Sequence, residues 1–177
     1  MPGPKPVFSA TAVQRALARI AHQIAELNHH PEQVVVIGIQ SGGVHLANRI
    51  GAELSKIWGL SVPVGTLDVS MHRDDFNQRI ASAMHPTTIP FDINGRTVIL
   101  VDDVLYSGRT VRAALDSLND FGRPRAVQLA VMIDRGNRQL PIKEDFVGKE
   151  VATAADDYVE VRLKDGENED LVFVRKS

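Results

Sequence analysis

Cysteine is absent from the 177 residues, neither sign of charge dominates, and no apolar run is long enough to cross a bilayer. The first absence excludes disulfide frameworks and zinc–thiolate centres. The second, a formal net charge of −2 from 20 Lys and Arg against 22 Asp and Glu, excludes a general nucleic-acid coat protein, which would be strongly basic. A local basic patch stays possible. The third, together with the short proline-rich lead Met1-Pro2-Gly3-Pro4-Lys5-Pro6, predicts neither a signal peptide nor a membrane span and makes a cytoplasmic location the expectation. Two nucleotide motifs are missing as well. No string has the Walker A form Gly-x-x-x-x-Gly-Lys-Ser/Thr, and Gly38-Ile39-Gln40-Ser41-Gly42-Gly43 lacks the glycine spacing of the dinucleotide fingerprint. What is present is an ordinary globular composition, 44% apolar and 24% charged, at the length of about one domain.

The apolar pattern predicts an α/β chain. Ser9 and Thr11 are candidate caps for a helix in which Val13, Leu17, Ile20, Ile24 and Leu27 recur at spacings of three and four, ending near Asn28. Val34 to Ile39 is a continuous β-branched run of the kind buried on both faces of a parallel sheet. A glycine turn at Gln40 to Gly43, a helix with the stripe Ala47, Ile50, Leu54 and Ile57, and a strand from Val62 to Val69 complete a βαβ unit. Residues 70–94 hold no sustained period and read as a flap inserted in the single domain 1–177. The core resumes with the strand Thr97 to Val101, a turn at Asp102 to Gly108, and a helix with the stripe Val111, Ala114, Leu115, Leu118 and Phe121. Gly122 and Pro124 stop it. A buried-type strand, Ala126 to Ile133, precedes the polar turn Asp134 to Arg138, and 157–163 with 171–174 predict a terminal hairpin.

Chemistry concentrates in Val98 to Thr110, an apolar strand that runs into Asp102 and Asp103 and then into Tyr106-Ser107-Gly108-Arg109-Thr110 at the start of a helix. Open α/β sheets bind ligands beyond the carboxyl ends of their strands. Backbone N–H groups, two hydroxyls and the helix dipole at Ser107 to Thr110 suit a phosphate. Paired carboxylates repel a phosphate, so they make sense only if the ligand also presents hydroxyls or brings a divalent cation. A sugar phosphate with a 2,3-diol does both. The bland alternative, a helix-capping pair followed by an ordinary turn, does not account for two adjacent acids closing a wholly apolar strand.

This stretch resembles the phosphoribosyl pyrophosphate (PRPP) motif of the type I phosphoribosyltransferases. Arg15 to His22, Arg73-Asp74-Asp75, Asp102 to Ala113, Gln128 to Val131, Asp134-Arg135-Gly136 and Leu140-Pro141-Ile142 extend the similarity, over nearly the whole chain, to the bacterial pyrimidine operon regulators of that family. The resemblance implies a mostly parallel sheet flanked by helices with a small flap or hood, binding of PRPP and of uridine nucleotides such as UMP and UTP, and uracil phosphoribosyltransferase activity. It also implies control of pyrimidine-operon mRNA through RNA binding, and self-association into a homo-oligomer. Asp102 and Asp103 would hold the ribose hydroxyls, directly or through Mg²⁺ carried by PRPP, with no dedicated protein metal site. Tyr106, Ser107, Gly108, Arg109 and Thr110 would take the 5′-phosphate. Gln40, Ser41, Gly42 and Gly43 form the pyrophosphate loop, Arg73, Asp74 and Asp75 fall on the flap with Arg73 as a catalytic candidate, and Ile133, Asp134 and Arg135 flank the base. Arg15, Arg19, His22, Arg138 and Lys143 are the RNA-phosphate candidates.

Departures from the family pattern carry information. Purine-specific relatives commonly place an aspartate where Tyr106 stands, and a phenol, which keeps its proton at neutral pH, favours a pyrimidine over purine salvage. Gly42 stands where familiar members carry arginine. That removes a cation from the leaving pyrophosphate and predicts weak catalysis unless Arg73 or Arg79 compensates. Asn137 replaces a histidine common in relatives, on a stretch implicated in RNA contact. Three readings follow: a uracil phosphoribosyltransferase and operon regulator, a nucleotide-sensing RNA binder without turnover, and a purine salvage enzyme.

Overall fold

A computed structural model describes residues 6–72, 86–163 and 170–176. Three helices are described, α1 (Ala10–Leu27), α2 (Gly42–Trp58) and α3 (Arg109–Leu118). The strands are β1 (Pro6–Phe8), β2 (Val34–Ile39), β3 (Val64–Leu67), β4 (Thr97–Leu105), β5 (Ala126–Asp134), β6 (Phe146–Glu150), β7 (Tyr158–Arg162) and β8 (Leu171–Arg175). The central sheet has the order β3-β2-β4-β5-β6, every pairing parallel.

The reason these strands lack polar alternation is that both faces are covered. Val34 and Val36 of β2, with Ile99 and Val101 of β4, join the apolar faces of α1 and α2 in one cluster. Val35, Ile37 and Ile39, with Val98 and Leu100, join Val111, Ala114 and Leu118 of α3 in the other. Every residue of β2 is buried. Helix α1 begins where Ser9 accepts a hydrogen bond from the Ala12 N–H (3.2 Å), as its sequence predicts, and Asn28 ends it by donating its side-chain amide to Ile24 O and Gln128 Oε1.

Tertiary packing alters several expected boundaries. The stripe of α2 turns toward Leu46, Ala47, Ile50 and Leu54, leaving Ile57 at the exposed last turn, while Trp58 packs against the core at the helix end. Strand β3 is only Val64–Leu67. Strand β4 continues past the acids to Leu105, because β5 keeps pairing with it there, so the turn shrinks to 106–108. Helix α3 ends at Leu118, and Phe121 lies beyond it, exposed. Strand β6 extends the sheet by one further parallel strand where no element was expected, and the tail of the proline lead forms β1.

The expected terminal hairpin is present as β7 and β8, and β1 completes it as a three-stranded antiparallel sheet, β1-β8-β7. This small sheet is a hood over the α1/α2 face, with Val159 and Val172 in the same cluster as α1 and α2. Arg49 of α2 pins it through Nη1 and Nη2 to the two carboxylate oxygens of Asp170, which is 7% exposed. Within the expected flap, Ser70–His72 forms a helical turn and Thr88 bridges Thr66 antiparallel, laying the chain along the β3 edge. Arg73, Asp74, Asp75 and Arg79 lie outside the described residues. Among the described residues no helix is long and apolar enough to cross a membrane.

The Arg49–Asp170 fork yields a stability prediction. Hydrogen bonds to a mostly buried carboxylate contribute about 1.5–3 kcal/mol. Asp170→Ala and Arg49→Ala should each lower unfolding free energy by about that amount, and the double variant should lose little more than either single one in urea titrations.

Candidate functional site

The site assembles where β2, β4 and β5 end side by side. Gly38 pairs with Val101 and Leu105 with Asp134, which sets the turns after the three strands along one edge. Asp102 is 6% exposed and Asp103 half-buried. One oxygen of each carboxylate is tied down, Asp102 Oδ1 accepting from the Asp103 N–H (2.9 Å) and Asp103 Oδ1 from the Val104 N–H (2.8 Å).

The turn at Gln40 to Gly43 touches these acids. A Cβ built on Gly43 would sit 2.2 Å from Val101 O, and one on Gly42 would sit 2.1 Å from Asp103 Oδ2. Absence of side chains is therefore what lets the start of α2 reach β4. At Gly42 the sequence signalled only a missing arginine. The structure adds that any side chain there must displace the Asp103 carboxylate.

After β4 the chain turns through Tyr106 and Ser107 to Gly108, whose φ of 92° is a conformation that favours glycine, and α3 begins at Arg109. First-turn amides of a helix lack intrahelical partners, so this corner offers N–H groups and a positive dipole end to an anion. The loop is braced from behind. Ser107 O accepts from the Gln139 N–H (2.9 Å) and the Leu140 N–H (3.1 Å), and Arg109 Nε donates to Gln139 Oε1 (2.9 Å). The carboxylates fit Mg²⁺, which takes oxygen ligands and uses one or two carboxylates when substrate phosphates supply the rest. Among the described residues no cluster of three or more His, Cys, Asp or Glu offers a complete protein cage.

At the end of β5 a cavity of about 330 Å³ is lined by Asp134 to Asn137 and by Glu150 to Thr153. Ile133 beside it is wholly buried, so its side chain lies in the core and cannot line the cavity. Arg135 is 7% exposed, with its guanidinium 4.2 Å from the centroid of the Tyr106 ring and its Nε donating to Thr153 Oγ1 (3.0 Å). Asn137 holds a left-handed φ of 59° and donates to Thr153 O (3.1 Å). Sequence reasoning missed Glu150 to Thr153 and the Arg135–Tyr106 stack. The five-residue β6 has a central glycine and too little length to show a period.

Arg138 differs most from expectation. Nε donates to Ile142 O (2.8 Å), Nη1 to Tyr106 O (2.9 Å) and Asp134 Oδ1 (2.9 Å), and Nη2 to Asp134 Oδ2 (2.8 Å) and Glu144 Oε2 (3.3 Å). A guanidinium has five N–H donors, and these five contacts engage all of them. An RNA phosphate at Arg138 would have to compete with this network. The other candidates stand at the surface. Arg15, Arg19 and His22 lie on the exposed side of α1, and Lys143 is exposed on the loop before β6. Arg19 also donates to Val147 O and Gly148 O of β6, and His22 Nδ1 lies 2.8 Å from Ala18 O.

The two acids of this network are shifted in opposite directions. Burial works against ionised Asp134, but the Arg138 hydrogen bonds, the Gly136 N–H and the Arg138 charge outweigh it and hold its pKa below the ordinary value. Glu144 is pushed up, chiefly by burial and then by the Asp134 charge, against the lowering effects of its own backbone N–H and of Arg138.

Comparison with known proteins places this geometry. Residues 8–163 match the phosphoribosyl transferase domain family. The chain is similar to a bifunctional protein PyrR of Roseiflexus sp. (strain RS-1), 53% identical over 176 residues that cover 98% of this chain and 96% of the relative. The Deinococcus radiodurans protein of the same name is 47% identical over 167 residues, 94% of this chain and 91% of its own. Among solved structures, a hypoxanthine phosphoribosyltransferase of Trypanosoma cruzi superposes with a TM-score of 0.70 at 18% identity, covering 98% of this chain and 97% of that one. A hypoxanthine-guanine phosphoribosyltransferase of Bacillus anthracis gives 0.69 at 18%, over 98% and 100%. These likenesses carry the fold alone.

Two predictions follow from the geometry. Gly43→Ala drives a methyl into the Val101 carbonyl and should cost about 1–3 kcal/mol in urea unfolding. Gly42→Ala meets a carboxylate that can swing aside, so it should leave stability nearly unchanged while weakening any ligand held by Asp103. For pH, the raised Glu144 favours the folded state fully below the ordinary glutamate pKa, and that contribution is lost as pH rises through its higher folded value. Thermal unfolding of Glu144→Gln followed from pH 4 to 8 should lack this loss, so the variant gains on the native protein with rising pH.

Proposed function

The chain belongs to the phosphoribosyl transferase family, and from that premise we propose that it is a pyrimidine operon regulatory protein with uracil phosphoribosyltransferase activity. One observation carries the reading. A single strand delivers an acid pair and then a glycine-turned phosphate loop, with a base-sized cavity at the end of the neighbouring strand.

The reaction joins uracil N1 to ribose C1′ of PRPP, breaks the C1′–O bond to pyrophosphate and releases the N1 proton. Positive charge develops on the sugar as negative charge gathers on the leaving group, so catalysis rests on alignment and charge screening. When bound, Mg²⁺ screens the pyrophosphate. The chain's own share is positional. Asp102 and Asp103 accept from the ribose hydroxyls or hold the metal, Ser107 to Thr110 cradle the 5′-phosphate, and the Gln40–Gly43 loop faces the pyrophosphate. Main-chain groups at Ile133, Asp134 and Arg135 read the uracil edge. Arg73, Asp74 and Asp75 act from the flap as the resemblance implies.

The regulatory half uses a different surface. Arg15, Arg19 and His22 on α1, with Lys143, contact the phosphates of pyrimidine-operon mRNA, and uridine nucleotide in the cavity sets that affinity. Self-association and a cytoplasmic location belong to the same reading.

Incubation with uracil, PRPP and Mg²⁺ should yield UMP and pyrophosphate, and Asp103→Asn should reduce turnover on the order of 10²–10³-fold, the scale of a lost charge-stabilising contact. Absence of product together with absence of UMP or PRPP binding overturns the reading. UMP binding that alters affinity for an operon leader without turnover selects the sensor alternative, which the missing arginine at Gly42 favours. Product from hypoxanthine but not uracil selects purine salvage.

A further inference from the structure

We propose that Arg138 is a positioning residue that fixes the phosphate loop relative to the base cavity and thereby aligns the two substrates. The inference rests on the functional reading above. Three segments meet at this one side chain: Tyr106 from the phosphate loop, Asp134 from the strand end that lines the cavity, and Ile142 with Glu144 from the stretch leading into β6. Pairing between β4 and β5 ends at Leu105 and Asp134. Beyond that point the two ligand-facing turns share no further ladder, and three contacts replace it. The Arg135 N–H donates to Leu105 O (3.1 Å), the Arg135 guanidinium stacks on Tyr106, and Arg138 ties Tyr106 O to both oxygens of Asp134.

The stretch after Arg138 extends the brace. Gln139 and Leu140 donate their N–H groups to Ser107 O, and a Cβ on Gly108 would sit 3.1 Å from Ile142. The loop therefore leans on the same segment whose Ile142 O accepts from Arg138, and that side chain sets the loop's register against the cavity. Side-chain geometry makes the requirement specific to arginine. A lysine ammonium keeps the charge, but its three donors radiate from one atom and cannot reach Tyr106 O, Ile142 O and both oxygens of Asp134 together.

Arg138→Lys separates this role from a charge role. In the uracil and PRPP assay kcat should fall on the order of 10²-fold, the scale for sub-ångström to ångström misplacement of aligned groups, while KM for each substrate changes less than about threefold. UMP, which spans both subsites, should bind about tenfold more weakly. Ribose 5-phosphate, which needs only the loop and the acids, should bind as it does to the native protein. A native-like kcat and UMP affinity in a folded Arg138→Lys protein overturns the proposal, as does equal weakening of UMP and ribose 5-phosphate, which marks a general structural defect. Should Arg138→Lys not fold, Glu144→Ala removes one of the five acceptors at a residue that does not line the cavity; a loss of UMP affinity about threefold or greater with ribose 5-phosphate unchanged supports the proposal, and native behaviour overturns it. If the native protein binds UMP without turnover, the enzymatic half of the functional reading fails and the two binding measurements alone decide the positioning role. If it binds neither ligand, both fail.

Discussion

The approach of α2 to β4 at Gly42 and Gly43 is the constraint on which the site depends. Two positions without side chains let a helix begin in van der Waals contact with the carbonyl of Val101 and the carboxylate of Asp103. Gly38, within β2, serves the same approach, since a Cβ there would sit 2.7 Å from Gly43 O. Were any of the three enlarged without rearrangement, the turn after β2 would lift from the acid pair, and the edge where three strands end would open. The missing arginine at Gly42 and the tight packing are thus two sides of one fact. A cationic side chain could enter only by moving the carboxylate that the ribose is expected to meet.

Charge is distributed by the same logic. Asp102 and Asp103 stand at the strand end with main-chain N–H donors as partners, while Asp134 is held ionised by Arg138 and Glu144 is pressed toward its neutral form. Of the two carboxylates at the base side and its brace, Asp134 has both oxygens on the Arg138 guanidinium and Glu144 has one. A net charge of −2 conceals this arrangement.

Much of the fold was legible because a parallel sheet covered on both faces must be written in unbroken apolar runs, and Val34–Ile39, Thr97–Val101 and Ala126–Ile133 are such runs. The acid pair and the phosphate loop were legible because their meaning is local, carried by consecutive residues. Strand β6 and strand β1 were not, since five and three residues give no period. The role of Arg138 was illegible for a different reason. An arginine beside a polar turn reads as a surface charge, and only the tertiary placement of Tyr106, Ile142 and Glu144, which are remote from or indifferent to it in the chain, converts it into an internal brace. Ile133 shows the opposite case: adjacent to the cavity in sequence, it turns its side chain into the core and leaves its main chain as the part that could meet a base.

The two outer strands of the central sheet have a consequence for colloidal behaviour. Beside β3 the chain returns and bridges Thr66 through Thr88, and along β6 the guanidinium of Arg19 occupies carbonyls of Val147 and Gly148 while Lys149 and Glu150 place charges at the rim. Exposed strand edges are templates for intermolecular strand addition, the first step toward amyloid-like stacking. Here each border is partly occupied by the protein's own groups. Strand addition at either border would first have to displace these groups, which gives the sheet a local barrier to growth from one molecule into the next.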